Sequence, residues 1–332
     1  MFVPGRFTVP VAAVTNNEYN AISGLPARAA HFKRLTLLPL LPTLLIRFTS
    51  DRYTLLVAAA HTMAAHSQQA IGIFDSGIGG LTVLREIRQR LPLETIKYLG
   101  DTARVPYGTR SAQTVQKYAR ANTEFLNGQD IKLLVIACNT ASAVATEQLR
   151  GAYSLPVIDV VGPGARAAVE ATSSGRVGII GTEGTISSGA YQREISALRD
   201  GAVIFAQACP LFVPLVEQNW IDAGDPVVQM IVRRYLEPFL DFQIDALVLG
   251  CTHYPLLKQA IAQFLGDAIT LIDSAEQTAR AVEAALREAD LLRSERGSAP
   301  QYFVTDIPHR FAANGALFLG ESLGDVQLID IM

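Results

Sequence analysis

The sequence predicts an α/β protein: two similar doubly wound parallel-sheet domains related by pseudo-two-fold symmetry, with the functional cleft between them. Three observations carry this expectation. From Ile71 onward, short β-branched runs alternate with amphipathic stretches of helical period, the rhythm of a parallel sheet covered on both faces. That rhythm restarts, because RVGIIGTEGTISSGAYQREI (176–195) aligns with AIGIFDSGIGGLTVLREI (70–87) at Val177 and Ile71, Gly178 and Gly72, Ile179 and Ile73. One phrase is also written twice, as LVIACNTAS at 134–142 and LVLGCTHYP at 247–255, each an apolar run that ends on a cysteine.

The elements come in a regular order. IGIFD (71–75) reads as the first strand and GLTVLREIRQRL as its helix; TIKYLGD precedes a helix from about Ser111. LLVIAC (133–138) is a strand followed by the helix NTASAVATEQLR, and PVIDVV leads to a helix beginning near Pro163. After Cys251 come the helix PLLKQAIAQFLG and the strand ITLID. A further helix is opened by Ser274, with Gln277 three residues on, the spacing of a capping box. Two short strands close the chain.

Residues 1–69 are different. They carry poor periodicity, and the run LTLLPLLPTLLI is interrupted by Pro39 and Pro42. It is too short and broken to span a bilayer, which needs about 20 apolar residues. It also lies too far in for an ordinary signal peptide. Met63, followed by AAHSQQ and the first strand, reads as a natural start, so residues 1–62 are expected to reflect start-site choice and 1–69 to form a disordered extension.

Composition narrows the function. Of 332 residues, 49% are hydrophobic and 18% charged, which is a chain built for packing. The 28 basic and 31 acidic residues leave a net charge of −3 with no basic stripe, which argues against a nucleic-acid surface. Cys138, Cys209 and Cys251 match no zinc or disulfide spacing, so reduced thiols in a cytoplasmic protein are expected, with no metal.

The strand ends carry the chemistry. Ligands of such sheets bind beyond the carboxyl ends of the strands. A cysteine there, ahead of a helix, meets free N–H groups that favour its thiolate. One such thiol is equally well explained as a small buried hydrophobe; packing alone gives no reason to repeat it at both rims. Cys209 lacks a counterpart and reads as core. Asn139 and Thr140 after the first thiol, and Thr252 and His253 after the second, can donate to a carboxylate.

FDSGIGG ends the first strand on Asp75 and Ser76, but its glycines miss the dinucleotide fingerprint, and there is no phosphate-binding lysine loop. A small carboxylate therefore suits it better than a nucleotide. In ARVPYG, the turn around Tyr107 and Gly108 reads equally as an ordinary tight turn or as one that aims backbone N–H groups and a phenol into the cleft.

Two opposed thiols, one ionised, can invert a chiral carbon by removing its proton from one face and delivering another to the opposite face. No lysine motif announces pyridoxal phosphate, so no cofactor is expected and hydrogen bonds and desolvation must hold the carbanion. The reading from another class is a thiol-redox regulatory binding protein with a reversible Cys138–Cys251 disulfide.

The pieces GIFDSGIGGLTVL, YLGDTARVPYG, ACNTASA, GTEGTISSGAY, CPLFVPLVE and GCTHYPLL, in that order over residues 71–272, resemble the cofactor-independent aspartate/glutamate racemases. The resemblance implies interconversion of L- and D-glutamate for peptidoglycan, with Cys138 and Cys251 as the bases; aspartate is the rival substrate. It further implies substrate contacts from Asp75, Ser76, Tyr107, Gly108, Asn139, Thr140, Thr252 and His253, and assistance from Asp75, Glu217 and His253. A homodimer, activation by a UDP-muramoyl-alanine precursor and no membrane or nucleic-acid partner are implied as well. The repeat and the family architecture together set the domains at 70–163 plus 273–332 and at 164–272.

Overall fold

The computed structural model describes residues 66–331. The start-site expectation for residues 1–62, and nearly all of the expected extension 1–69, lie outside the described residues. The described residues form an α/β structure with two parallel sheets, in agreement with the predicted fold class.

The first sheet is built on β1 (Ala70–Asp75), β2 (Ile96–Gly100), β3 (Ile131–Ile136) and β4 (Val157–Asp159), joined late in the chain by β9 (Gln301–Val304) and β10 (Val326–Leu328). Its order is β10-β9-β2-β1-β3-β4. The second sheet holds β5 (Arg176–Gly181), β6 (Val203–Ala208), β7 (Ala246–Gly250) and β8 (Thr270–Asp273) in the order β6-β5-β7-β8. The sequence repeat is thus a repeat of topology: in each sheet the opening strand is flanked by its second and third strands, and the fourth lies outside the third. The central strand pairs in parallel on both sides, Ile73 opposite Tyr98 and Val135 in the first sheet, Ile179 opposite Ala206 and Val248 in the second.

Central strands β1, β3 and β7 are buried along their whole length. This is why their sequences are apolar runs and not alternations. Helices cover them. After β1 comes α1 (Leu81–Arg90), after β2 α2 (Ala112–Asn127), after β3 α3 (Asn139–Ala152) and after β4 α4 (Val161–Ala171). The second sheet adds α5 (Glu183–Ser188), α6 (Ala190–Leu198), α7 (Phe212–Glu217), α8 (Pro226–Asp241) and α9 (Lys258–Leu265). Then α10 (Ser274–Glu288) crosses from β8 to pack on α1 and α4, and α11 (Pro308–Leu319) joins β9 to β10.

Local chemistry sets the helix starts. Ser111 caps α2 by accepting from Thr114 N at 3.3 Å, and Asp225 caps α8 by accepting from Val227 N at 2.7 Å, with Pro226 in the first turn. The capping box expected at Ser274 is corrected. Asp273 is the cap, accepting from Ala275 N at 2.9 Å, and the Ser274 hydroxyl instead donates to Leu249 O at 3.3 Å. A carboxylate ending a buried strand outcompetes the serine beside it, whose hydroxyl is claimed by the neighbouring strand.

The aligned glycines of the two opening strands are explained by close approach. A Cβ on Gly178 would lie 2.6 Å from Ile244 Cδ1 and 2.9 Å from Phe239 Cδ1, and one on Gly72 would lie 2.7 Å from Ile131 Cδ1. Gly178→Val therefore overpacks the second sheet. It should lower unfolding stability by about 1–3 kcal/mol, read from the urea midpoint at unchanged m-value.

Candidate active site

Four strand ends supply the site. β1 ends on Asp75, and β3 leads through Ala137 to Cys138, the residue that caps α3. β5 leads to Thr182, the cap of α5, and β7 leads straight into Cys251. Cys138 and Cys251 are both free and each is 5% exposed, so the site is nearly sealed. The two sulfurs are close enough that charge on Cys251 raises the pKa of Cys138.

The environments of the thiols differ. Burial, and then the charge of Asp75, push the Cys138 thiol up to about 12, against the opposing effect of hydrogen bonds from Ala141 N–H and the Ser76 hydroxyl. This corrects the expectation that the start of α3 lowers it. A helix N-terminus offers partial charges to a neighbouring sulfur, but in a closed site the loss of water is the larger effect. Cys251 has a different neighbour: its Sγ lies 3.9 Å from His253 Nδ1, and His253 Nε2 lies 3.2 Å from Glu217 Oε1. Burial alone would lower the His253 pKa, but hydrogen bonds to Cys251 and Glu217 and their charges raise it to about 10. The hydrogen bond from His253 in turn holds the Glu217 carboxyl below its ordinary value. A positive imidazole thus stands beside the second sulfur.

Two buried polar atoms at these strand ends are unpaired. Asp75 is wholly buried; its Oδ2 accepts from Gly77 N at 3.0 Å, while its Oδ1 is buried with no hydrogen-bond partner. Burial raises the Asp75 pKa, against the pull of the Gly77 N–H and the charge on His253. Asn139 Oδ1 accepts from the Tyr191 hydroxyl at 2.7 Å, and its Nδ2 is likewise buried without a partner. Buried polar atoms are nearly always paired. Asp75 Oδ1 and Asn139 Nδ2 are thus a buried acceptor and a buried donor that no protein group satisfies.

Each sheet's opening loop also clamps the other sheet's cysteine loop. From the first sheet, the Thr82 hydroxyl shares its proton between Gly79 O at 2.9 Å and Thr252 O at 3.1 Å, and only glycine fits at position 79, where a Cβ would come within 2.3 Å of Thr252 Oγ1. From the second, Thr182 Oγ1 and Thr185 Oγ1 lie 2.9 Å and 3.4 Å from Thr140 Oγ1, and Tyr191 reaches Asn139. Gly108 joins the same seam, its carbonyl accepting from Gly184 N at 2.8 Å.

The structure brings Asp75, Ser76, Cys138, Asn139, Thr140, Cys251, Thr252, His253 and Glu217 together. Tyr107 is a correction in part. Its phenol does not point into the cleft but is buried in the first sheet's outer core, donating to Asp101 Oδ2 and accepting from Asn122 Nδ2 at 3.1 Å. Only the backbone of the Tyr107–Gly108 turn reaches the seam. Cys209 is core, as expected: it is 0% exposed and its carbonyl accepts from Tyr254 OH. Thr82, Thr182, Thr185 and Tyr191 were given no role by the sequence reading. The repeat held a signal for one of them, since it sets Thr182 opposite Ser76.

A cavity of about 420 Å³ opens beside Glu217, lined also by Gly77, Arg310 and Phe318. No three or more His, Cys, Asp or Glu side chains among the described residues are grouped to hold a metal ion.

Paired parallel sheets, each with a buried free thiol at the end of a strand, fit an amino-acid racemase, an isomerase. The chain belongs to the Asp/Glu/Hydantoin racemase family, whose model matches residues 79–282. It is 52% identical over 265 residues to a glutamate racemase of Geobacter metallireducens, covering 79% of this chain and 97% of that one. It is similar to the solved glutamate racemase of Francisella tularensis in complex with D-glutamate, with TM-score 0.75 and 37% identity over 80% of this chain and 98% of the other. It also resembles the Escherichia coli glutamate racemase in complex with L-glutamate and the activator UDP-MurNAc-ala, with TM-score 0.66 and 27% identity over 80% and 99% of the two chains.

The His253 geometry has a testable sign. Its folded pKa, about 10, exceeds the ordinary 6.5, so its contribution to stability is full below about 6.5 and is lost as pH rises through about 10. Glu217→Gln removes an interaction that raises this pKa, so the imidazole should titrate at lower pH in the variant. Ring-proton NMR across pH 6–11 measures both curves, and coincident curves would remove Glu217 from the pair.

Proposed function

We propose that the chain interconverts L- and D-glutamate by proton transfer at Cα between Cys138 and Cys251, supplying D-glutamate for peptidoglycan. The observation that carries this reading is the pair of orphaned atoms, Asp75 Oδ1 and Asn139 Nδ2, at the strand ends that also carry the Cys138 thiol. The glutamate racemases to which the chain is similar support the choice of substrate.

The substrate ammonium pairs with Asp75, and its α-carboxylate accepts from Asn139 Nδ2 and the hydroxyls of Ser76, Thr140 and Thr252. In one direction the Cys251 thiolate, beside the His253 imidazolium, takes the Cα proton: a C–H bond breaks and an S–H bond forms. Cys138, which holds its proton up to about pH 12, delivers it to the opposite face, so an S–H bond breaks and a C–H bond forms. The other enantiomer reverses the roles.

Asp75 couples binding to chemistry. Its charge is one of the causes that raise the Cys138 pKa. An ammonium group paired with Asp75 offsets that charge, so substrate itself brings the Cys138 thiol towards the range in which it can act as a base. The carbanion is held by the same hydrogen-bond donors in a site from which water is excluded.

The two halves in this reading divide into 70–163 plus 273–332 and 164–272. A second copy of the chain and a UDP-muramoyl-alanine activator are its partners, the latter on the strength of the Escherichia coli relative's complex. The reaction runs in the cytoplasm, a location in keeping with the free thiols; no helix among the described residues is long and apolar enough to cross a membrane.

Cys138→Ser and Cys251→Ser should each lower kcat by about 100-fold to 10,000-fold, the range of general acid–base catalysis, as followed by chiral chromatography. In deuterated water, solvent deuterium should enter Cα of glutamate. If both variants keep full turnover the two-base reading falls, and if aspartate alone is racemised the substrate assignment falls. In the same assay, added UDP-MurNAc-Ala should raise the wild-type rate; no response would remove it as a partner.

A further inference from the structure

The segment GTEGTISSGAY carries a buried tyrosine to which the proposed reaction assigns no part. Tyr191 lies on α6, in the second sheet's half of the molecule, and is 1% exposed. Two glycines flank its ring: a Cβ on Gly164 would sit 3.2 Å from Tyr191 Cε1, and one on Gly250 3.2 Å from Tyr191 Cε2. Gly250 directly precedes Cys251. The hydroxyl at the far end of the ring donates to Asn139 Oδ1 at 2.7 Å, and Asn139 directly follows Cys138. One rigid side chain therefore touches the neighbours of both thiols.

The direction of that hydrogen bond matters. A carboxamide has an acceptor end and a donor end, and a half-turn about its last torsion exchanges them. The Tyr191 hydroxyl has one proton, and of its two acceptors Asn139 Oδ1 is near at 2.7 Å while Val160 O is distant at 3.5 Å. The proton is therefore given to Asn139 Oδ1, which leaves Nδ2 as the free end of the carboxamide, buried and without a protein partner.

We infer that Tyr191 is a positioning residue: its hydroxyl locks the Asn139 carboxamide with Nδ2 aimed at the α-carboxylate of the substrate, so that the second half of the molecule sets a binding group of the first. This rests on the racemase reading of the site. Without the lock, Asn139 can present its carbonyl oxygen to an anionic group, and part of the population then repels the ligand.

Tyr191→Phe removes one oxygen and keeps the ring. It should raise KM for glutamate about tenfold, which corresponds to roughly 1.4 kcal/mol, with kcat changed much less. Asn139→Ala should raise KM at least as far, and the double variant no further than Asn139→Ala alone, because Tyr191 acts through Asn139. In a Cys138→Ser background, calorimetry should show the same tenfold weakening of glutamate binding on adding Tyr191→Phe. An unchanged KM in Tyr191→Phe, or additive losses in the double variant accompanied by a lower urea midpoint, would overturn the inference and leave a packing role. Wild-type racemisation of glutamate in the same assay separates that failure from a failure of the racemase reading.

Discussion

Loss of water is the physical constraint on which this site depends. Burial is the leading influence on Cys138, Asp75 and His253 alike, and it pushes each towards its neutral form: the two acids up, the imidazole down. Unopposed, it would leave a site of uncharged groups with no base for Cα. Charge survives only where a partner is supplied. His253 keeps its proton because Cys251 and Glu217 flank its two ring nitrogens, and Cys138 keeps its own because nothing comparable stands beside it. The same desolvation makes each remaining interaction strong enough to matter for a carbon acid.

The paired sheets provide that closure. A single doubly wound sheet exposes its strand ends to solvent. Here two sheets that share a four-strand order set their rims together, and the seam is made by the loops and helix starts that follow the two opening strands. Thr82 and Gly79 hold the loop after β7, and Thr182, Thr185 and Tyr191 hold the helix start after β3. Each cysteine loop is supported by the half that does not contain it. The repeat stops at the acid–base partners: Asp75 and Ser76 belong to the Cys138 side, His253 and Glu217 to the Cys251 side. A symmetric scaffold thus gives unlike thiols.

Features encoded locally, or written twice, were legible in the sequence. The parallel sheets emerged from apolar runs alternating with amphipathic helices, and the two thiols from a repeated phrase. Features that depend on partners far along the chain were concealed. The start of α3 beside Cys138 is a local feature and suggested a lowered pKa; the burial that overrides it comes with a core that draws in residues as distant in the chain as Phe303. Tyr107 looked available because its turn faces the seam, yet its hydroxyl is taken by Asp101 and Asn122. Asn139 was legible as a donor, but the tyrosine that orients it lies 52 residues away. At Ser274 the local pattern itself misled, because the preceding Asp273 was an equally good cap.

A racemase must hold two mirror-image substrates in one site, and this restricts where its binding groups can stand. If the two enantiomers are bound with Cα–H directed at opposite sulfurs, their amino and carboxylate groups must occupy nearly the same positions. Those groups therefore need partners held in one fixed arrangement, whichever sulfur Cα–H faces. In the proposed reaction Asp75 and Asn139 are those partners: each comes from a strand or helix end at the rim, each leaves one buried polar atom without a protein partner, and each has its other side-chain polar atom tied by protein, to Gly77 N and to Tyr191. Tying one end of each group fixes the other, so that a single arrangement of donor and acceptor serves both directions. Leaving those ends unpaired costs the protein roughly 1–3 kcal/mol per buried group, a cost that either enantiomer relieves equally. Such relief strengthens binding without biasing the equilibrium between the two forms, which no catalyst can shift.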